Sequence, residues 1–305
     1  MQPCFCAVKA LLKLYIYVYL LIMDFLRTAG FVPLTRDNWE LLMTYWKYFT
    51  LICPAQLILK DWYPMGKTSY KSILNVPGKP AWILMELVSP LTMLYTVSTN
   101  PERTQPLSYI HLWLVALYCL HYTNRALISP LMNHSMAPIN IILPIGAAFF
   151  NLMNGSLIGG WLGGYGSAKD VPTWQVIAGS VLFVTGLFGN VYHDEVLREI
   201  RRDKRVDKNA EKEGKVVVEN GRVYKIPEGG LFKWVWHPHY FSEWAEWYGY
   251  MMIGGGFSSF RPAGLFVVNE VATMLPRALQ GKRWYLNKFG KNAVPDRKAV
   301  VPGVI

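Results

Sequence analysis

The sequence predicts an all-α integral membrane protein, a seven-transmembrane helix bundle with an extra N-terminal helix. Residues of the hydrophobic types make up 52% of the chain and charged residues only 17%, whereas soluble proteins carry about 25% charge. Eight apolar segments each approach or exceed the length of a spanning helix, which needs about 17–25 residues. Basic residues concentrate in alternate loops, as expected for a multi-pass protein.

The first apolar segment, residues 10–27, has two interpretations. Asp24 interrupts it and no small-residue cleavage site follows, so a signal peptide is not predicted. The segment is either an eighth span or lies upstream of a chain that starts at Met23 with seven spans. We therefore separate an N-terminal hydrophobic extension, residues 1–39, from a membrane domain, residues 40–305.

The remaining apolar segments predict seven spans at 41–59, 81–97, 107–128, 137–162, 173–193, 231–253 and 263–280. Several contain proline, which spanning helices tolerate because neighbouring groups satisfy the freed backbone. The glycine cluster at 159–166 contains two GxxxG spacings, which are typical of close helix packing. It is neither GxGxxG after a strand nor a P-loop, so no soluble nucleotide-binding fold is indicated.

The basic residues predict the orientation. Within a net charge of +11, residues 198–215 hold eight basic and five acidic residues, and residues 277–298 hold seven and one. The alternate loops carry one basic residue each, near 97–106, 163–172 and 254–262. The positive-inside rule therefore places 60–79, 194–230 and the C-terminus in the cytosol. Topology explains the charge, so nucleic-acid binding is not predicted.

Polar residues interrupt the apolar segments 81–97 and 107–128. Glu86 lies in AWILMELVSPLTMLY, where a carboxylate costs about 2.5–3.5 kcal/mol unless it faces the bundle interior. Ser89 and Pro90 follow it, and the proline predicts a bend. Tyr122 and Arg125 lie in LYCLHYTNRALI. Glu86 is either functional or satisfied by a neighbouring helix, and Tyr122 is either functional or an interfacial anchor.

A polar ladder follows in GNVYHDEVLREIRR, where Asn190, Asp194, Arg198 and Arg201 share one helix face. Such a ladder suits a long ligand that is polar along its length and anionic at one end. Charges snorkelling from a helix end would explain the arginines, but not Asn190 and Asp194.

A second polar stripe consists of His239, Glu243, Glu246 and Tyr250, on one face of a predicted helix over 239–250. Polar residues inside a spanning helix indicate a site. His237 and His239 beside the glutamates could bind metal, but the chain has six histidines and no HxxHH, so no metal is predicted. The four cysteines show neither zinc nor disulfide spacing.

These motifs resemble the C-terminal domain of the steroid 5α-reductase family, the NADPH-dependent 3-oxo-5α-steroid 4-dehydrogenases. The resemblance is carried by NVYHDEVLREIR, YKIPEGGLF, PHYFSEWAEWYGY, PRALQGKRWYLNKF and PDRKAVVP, and is specific over residues 186–303. It is looser over 80–160, where MELVS resembles the family's QELPS and LHYTNR its HYFHR.

The resemblance implies a seven-helix bundle with a cavity open to the cytosol, NADPH in the cytosolic half and an enone entering from the bilayer. It places Glu86 and Tyr122 at the substrate carbonyl. It assigns the cofactor to Asn190, Asp194, Arg201, Tyr224, His239, Glu243, Arg277 and Tyr285. The chain departs from the family at Met85, where the family has glutamine, at His239, where steroid members often have asparagine, and at Gly281, where it has histidine.

We therefore expect a multi-pass protein of the endoplasmic reticulum membrane, surrounded by lipid and with its C-terminus in the cytosol. We expect it to reduce a carbon–carbon double bond conjugated to a carbonyl, in a Δ4-3-oxo steroid or sterol. Rival substrates are a trans-2-enoyl-CoA and a polyprenol, and rival classes are an S-adenosylmethionine-dependent methyltransferase and an inactive scaffold. Burial in an apolar helix disfavours an ionised Glu86, which predicts a neutral hydrogen-bond donor.

Overall fold

The computed structural model describes residues 2–28, 31–58, 72–203, 209, 214–219, 222–290 and 294–305. Much of the predicted cytosolic loops, residues 60–71, 204–208, 210–213 and 220–221, lies outside the described residues. The chain divides into two compact units. The first unit is Met1–Phe49, Tyr63–Val176 and Met251–Phe266, and the second is Thr50–Trp62, Ile177–Tyr250 and Val267–Ile305.

Helices form most of the described chain. They are α1 (Gln2–Thr28), α2 (Arg36–Tyr48), α3 (Ile52–Ile58), α4 (Gly78–Thr99), α5 (Tyr109–Tyr122), α6 (Ser129–Met132), α7 (Ile142–Gly160), α8 (Thr173–Arg202), α9 (Pro238–Ile253) and α10 (Arg261–Phe289). Two short antiparallel pairs join β1 (Asn75–Val76) to β2 (Ile139–Asn140) and β3 (Val216–Glu219) to β4 (Arg222–Lys225).

The observed helices confirm the prediction of a mostly helical membrane protein. Within the described residues, Gly78–Thr99, Ile142–Tyr165 and Thr173–Arg202 are long and apolar enough to cross a membrane. The chain is thus a mostly helical multi-pass membrane protein.

Two predicted segments differ from the observed helices. The segment 41–59 is divided by a 3₁₀ turn at Phe49–Leu51. In the segment 231–253, a 3₁₀ turn at Gly230–Lys233 comes first and α9 begins only at Pro238. Proline suits a first helical position because its missing N–H has no helical partner there.

Glycines bring α4 and α7 together in the first unit. A Cβ atom added at Gly155 would lie 2.4 Å from the carbonyl oxygen of Ser89, and one at Gly159 would lie 2.8 Å from that of Met93. Gly163, one turn further, faces the side chain of Asn100. The close packing predicted from the GxxxG spacings is therefore confirmed for Gly159 and Gly163.

Helix α2 is anchored in the first unit. The Thr35 side chain caps its first turn by accepting the N–H of Asn38 at 3.4 Å. Trp39, Met43 and Trp46, spaced as one helix face, are buried, and Trp39 Nε1 donates to the Leu157 carbonyl at 2.9 Å. The predicted boundary between residues 39 and 40 thus falls inside a packed helix.

In the second unit, α8 and α9 approach closely through two glycines. A Cβ atom at Gly186 would lie 2.5 Å from the backbone nitrogen of Glu246, and one at Gly249 would lie 2.5 Å from the Gly179 carbonyl oxygen. This contact brings the predicted polar faces of the two helices within hydrogen-bonding distance, as described below.

Candidate active site

Each unit contains a cluster of buried and half-buried polar side chains. The first polar cluster lies in the first unit, on α4, α5, α7 and the π-helical turn Thr123–Ile128. It consists of Glu86, Ser89, Tyr118, Tyr122, Arg125, Asn151 and Asn154. Polar groups in an apolar interior need partners, and these side chains supply them to one another.

Both carboxyl oxygens of Glu86 face hydrogen-bond donors. Oε1 lies 3.4 Å from Nε of Arg125, and Oε2 accepts from Nδ2 of Asn151 at 3.3 Å. The same Asn151 nitrogen donates to the Met85 carbonyl at 2.8 Å. The Glu86 carboxyl group thus lies between a guanidinium group on the π-helical turn and an amide group on α7.

Glu86 has polar as well as apolar neighbours. The prediction of a neutral donor rested on the apolar neighbours of Glu86 in its own helix, and α7 and the π-helical turn also bring Asn151 and Arg125 to it. The neutral-donor role stays a prediction, and for that role the oxygen that faces Arg125 would turn towards the substrate.

Tyr122 is buried, and its hydroxyl group is held between two amides. The hydroxyl donates to Oδ1 of Asn151 and accepts from Nδ2 of Asn154, each at 3.4 Å. Both bonds are longer than the usual 2.5–3.0 Å and 2.7–3.2 Å ranges, and the Tyr118 hydroxyl is a further hydrogen-bond partner. Tyr118 is held more tightly, because its hydroxyl lies 2.5 Å from Ser89 Oγ and 3.0 Å from Asn154 Nδ2.

Local backbone features position these side chains. Pro90 lies inside α4 and has no N–H, so the Glu86 carbonyl one turn earlier lacks its usual helical donor. The π-helical turn Thr123–Ile128 directly follows Tyr122, and such turns are frequent at functional sites. Trp82 fixes this turn, since its Nε1 donates to the Arg125 carbonyl at 3.2 Å and its ring lies 5.0 Å from the guanidinium group.

The sequence analysis missed Asn151 and Asn154. They lie three residues apart in an apolar helix, and both are buried. That spacing was the available signal, because amides inside a spanning helix are costly unless they face polar partners.

The second polar cluster lies in the second unit. We give this name to the residues of the second unit that the family resemblance assigns to the cofactor, together with His237: Asn190, Asp194, Arg201, Tyr224, His237, His239, Glu243, Arg277 and Tyr285. Its best-defined contact joins α8 to α9: Asn190 Nδ2 donates to Glu243 Oε2 and to the His239 carbonyl, each at 3.1 Å. Asn190 and Glu243 are both buried. The structure thus brings together two stripes that the sequence indicated separately.

The outer end of α8 carries the cations of the predicted ladder. Arg201 is exposed and lies within electrostatic reach of Asp194 and Tyr285. Arg198 is buried instead, with its Nε atom 2.6 Å from Glu195. Arg198 therefore forms an ion pair within its own helix, and Arg201 is the arginine that interacts with Asp194.

Aromatic rings fix Tyr285 on α10. Its ring stacks on Trp236, with centroids 4.5 Å apart and planes at 23°. Tyr224 packs edge to face against Trp284 at 5.5 Å, and its ring lies 4.8 Å below the ammonium group of Lys288. Arg277, on the same face of α10 as Tyr285, is half-buried.

The C-terminal tail, residues 294–305, braces the loop that precedes α9. Trp236 N donates to the Lys298 carbonyl and Lys298 N to the Trp234 carbonyl, each at 2.9 Å. Arg297 Nη1 donates to the Pro227 carbonyl at 2.8 Å, and the guanidinium carbon lies 4.8 Å from the Trp236 ring centroid. Burial lowers the pKa of Arg297, against the pull of the Glu228 carboxylate, yet an arginine stays charged at neutral pH.

The second polar cluster fits a dinucleotide phosphate. Arg201 and Arg277 can pair with phosphate oxygens. The side-chain oxygens of Asn190 and Glu243 can accept hydrogen bonds from neutral polar groups, since both N–H groups of Asn190 already donate to Glu243 and to the His239 carbonyl. No group of three or more His, Cys, Asp or Glu side chains is arranged to hold a metal ion within the part of the chain that the structure describes.

The family model for 3-oxo-5-alpha-steroid 4-dehydrogenase matches residues 135–305. The chain is 36% identical over 258 residues to Uncharacterized protein C9.08c of Schizosaccharomyces pombe, over 78% of this chain and 90% of that protein. It is 32% identical over 249 residues to Steroid 5-alpha-reductase DET2 of Solanum lycopersicum, over 78% and 86%. It is 29% identical over 234 residues to 3-oxo-5-alpha-steroid 4-dehydrogenase 1 of Rattus norvegicus, over 76% and 82%. The match spans more than half of the chain and includes the second polar cluster, so this protein belongs to the 3-oxo-5-alpha-steroid 4-dehydrogenase family.

Proposed function

We propose that the protein uses NADPH to reduce a carbon–carbon double bond conjugated to a carbonyl in a lipophilic substrate, with a Δ4-3-oxo steroid or sterol as the preferred class. Family membership supports the reaction class. The observation that carries the proposal is the first polar cluster, in which Tyr122 and Glu86 are joined through Asn151. A buried hydroxyl beside a carboxyl group and two amides is suited to receive a ligand oxygen.

The proposed mechanism uses Tyr122 and Glu86 at the carbonyl oxygen. NADPH, when bound, supplies the hydride that adds to the β-carbon, and the electrons of the double bond move onto the carbonyl oxygen. Tyr122 donates its hydroxyl proton in a hydrogen bond to that oxygen, and Asn154 supports this by donating to the Tyr122 oxygen. Glu86 is the second donor once it is protonated and turned from Arg125. The α-carbon then takes a proton from solvent.

The proposed cofactor site consists of the second polar cluster. Arg201 is our choice for the ribose 2′-phosphate, because it is a cation at the exposed end of the ladder from Asn190 and Asp194. Asn190 and Glu243 are held together on facing helices and offer polar atoms to the uncharged part of the cofactor. Tyr224, His239, Arg277 and Tyr285 complete the set that the family resemblance implies.

We further propose seven spans with α1 as an eighth, peripheral helix, in the endoplasmic reticulum membrane. The apolar side chains of Tyr17, Leu20 and Phe25 on α1 are exposed, which suits contact with lipid. The positively charged loop 194–230 and the C-terminus face the cytosol in this arrangement. An impermeant maleimide should then label a cysteine introduced at residue 302 in sealed, cytosol-outward microsomes. Labelling only after permeabilisation would reverse this orientation.

The test of the function is binding and turnover by the purified full chain. Titration with NADPH and, separately, with S-adenosylmethionine distinguishes a reductase from a methyltransferase. NADPH oxidation is then followed with a Δ4-3-oxo steroid, a trans-2-enoyl-CoA and a polyprenol-derived enal, and the products are identified by mass. We expect NADPH binding and a saturated ketone from the steroid.

Different outcomes overturn different parts of the proposal. A protein that binds S-adenosylmethionine but does not bind NADPH would not be a reductase of this kind. Reduction of the enoyl-CoA or the enal alone would keep the reaction and replace the substrate class. NADPH binding without reduction of any of the three substrates would leave the inactive scaffold as the better account.

A further inference from the structure

Helix α10 has a gap in the row of side chains that it contributes to the second polar cluster. Arg277, Gly281 and Tyr285 are spaced four residues apart and lie on one face of the helix. The arginine and the tyrosine are both proposed cofactor residues, and the position between them has no side chain.

The imidazole ring of His237 occupies this gap. A Cβ atom added at Gly281 would lie 2.3 Å from Nε2 and 2.5 Å from Cε1 of His237. Real Cβ atoms do not approach other heavy atoms so closely, so a side chain at 281 requires the His237 ring to move. The third nearest atom, at 3.6 Å, also belongs to the imidazole ring, so this ring alone closes the position.

Backbone contacts hold His237 in this place. Its N–H donates to the Ala299 carbonyl at 3.0 Å, and its Nδ1 lies 3.3 Å from the same oxygen. A carbonyl oxygen only accepts, so the second contact places a proton on Nδ1. The ring also stacks on Tyr240, with centroids 5.4 Å apart and planes at 16°. These contacts fix the ring orientation that directs Nε2 towards Gly281.

We infer that His237 is a further cofactor-binding residue, which supplies an imidazole from the loop before α9 at the position where α10 has no side chain. The inference rests on the proposed function, because the row Arg277–His237–Tyr285 lines the dinucleotide only if NADPH binds there. Within that row, Nε2 of His237 makes a hydrogen bond to the dinucleotide between the guanidinium group and the phenol.

The experiment moves the imidazole group from position 237 to position 281. The full chain is purified as wild type, H237A, G281H and the double variant H237A/G281H, with H134A as a control that removes an exposed imidazole. Each protein is titrated with NADPH at equilibrium, and its thermal unfolding midpoint is measured separately. The second readout distinguishes a loss of binding from a loss of folding.

We expect H237A to raise the NADPH dissociation constant about tenfold, the loss typical of one hydrogen bond of this kind, with H134A unchanged. G281H alone should unfold at a lower temperature, because two imidazoles compete for one space. H237A/G281H should recover both the midpoint and most of the affinity, because removing the His237 ring opens the position.

Three results would overturn the inference. A folded H237A that binds NADPH like the wild type would reduce His237 to a packing role. A folded H237A/G281H that binds as weakly as H237A would show that an imidazole at 281 does not replace it. A wild-type chain that does not bind NADPH would remove the proposed function together with this inference.

Discussion

The two polar clusters are held in place by different means. In the first, side chains on three helices hold one another, from Ser89 through the tyrosines and asparagines to Glu86. In the second, backbone carbonyls and stacked rings hold the side chains, and the C-terminal tail supplies much of this support. The geometry of the first cluster therefore depends on the chemistry of each side chain, whereas the geometry of the second depends more on the local backbone structure.

The largest expected effect is on turnover and comes from the first cluster. Tyr122→Phe removes the hydroxyl but keeps the ring, so turnover should fall about 10²–10³-fold, as for loss of one donor at a developing oxyanion. The NADPH dissociation constant should stay the same. The matched control is Tyr109→Phe, the same change at an exposed position of α5. Equal turnover in both variants would remove Tyr122 from the mechanism.

Substitutions at Glu86 distinguish a hydrogen-bond donor role from an ion-pair role with Arg125. Glu86→Ala should lose about 10²-fold in single-turnover NADPH oxidation. Glu86→Gln should retain more activity, because its amide group donates a hydrogen bond without first taking up a proton. If the contact with Arg125 at 3.4 Å is what matters, both variants will lose activity equally, since neither carries a carboxylate.

Arg201 tests the charge at the outer end of the second cluster. Arg201→Ala should raise the NADPH dissociation constant about ten- to a hundredfold, the range for a charge-assisted hydrogen bond, and should change NADH binding much less. Arg202→Ala is the matched control, because Arg202 pairs with Glu195 at 2.7 Å. Equal losses for NADPH and NADH would show that Arg201 does not contact the 2′-phosphate.

A smaller effect is expected from the backbone contact that supports the first cluster. Gly155→Ala would place a Cβ atom 2.4 Å from the Ser89 carbonyl, and such overpacking costs about 1–3 kcal/mol. The thermal unfolding midpoint in detergent should fall. Gly146→Ala in the same helix meets no atom within 4 Å and should leave the midpoint unchanged. A lowered midpoint in both variants would show that any alanine substitution in helix α7 is destabilising, whether or not it meets the Ser89 carbonyl.

The sequence predicted features that lie within one helix. The spacing of Asn190 and Asp194 and that of His239 and Glu243 each indicated a polar face, because helical periodicity is read within one segment. Three helices of spanning length and apolarity were accessible in the same way, and so was the close packing at the glycine cluster, although its partner helix α4 was not.

Contacts between helices were not accessible from periodicity. Asn151 is 65 residues from Glu86, and His237 is 44 residues from Gly281. Nothing in the spacing of either segment indicates which partner will face it. The polar neighbours of Glu86 were inaccessible for this reason, because Arg125 and Asn151 come from other segments of the chain.

The most direct test of the proposed reaction follows the hydride itself. Wild type and Tyr122→Phe are incubated with NADPH deuterated at both C4 positions and with a Δ4-3-oxo steroid, and the product is examined by mass spectrometry and NMR. We predict a saturated ketone with one deuterium at the β-carbon, formed about 10²–10³-fold more slowly by the variant. Deuterium on the carbonyl carbon of an alcohol, or a product without deuterium, would contradict the proposed reaction.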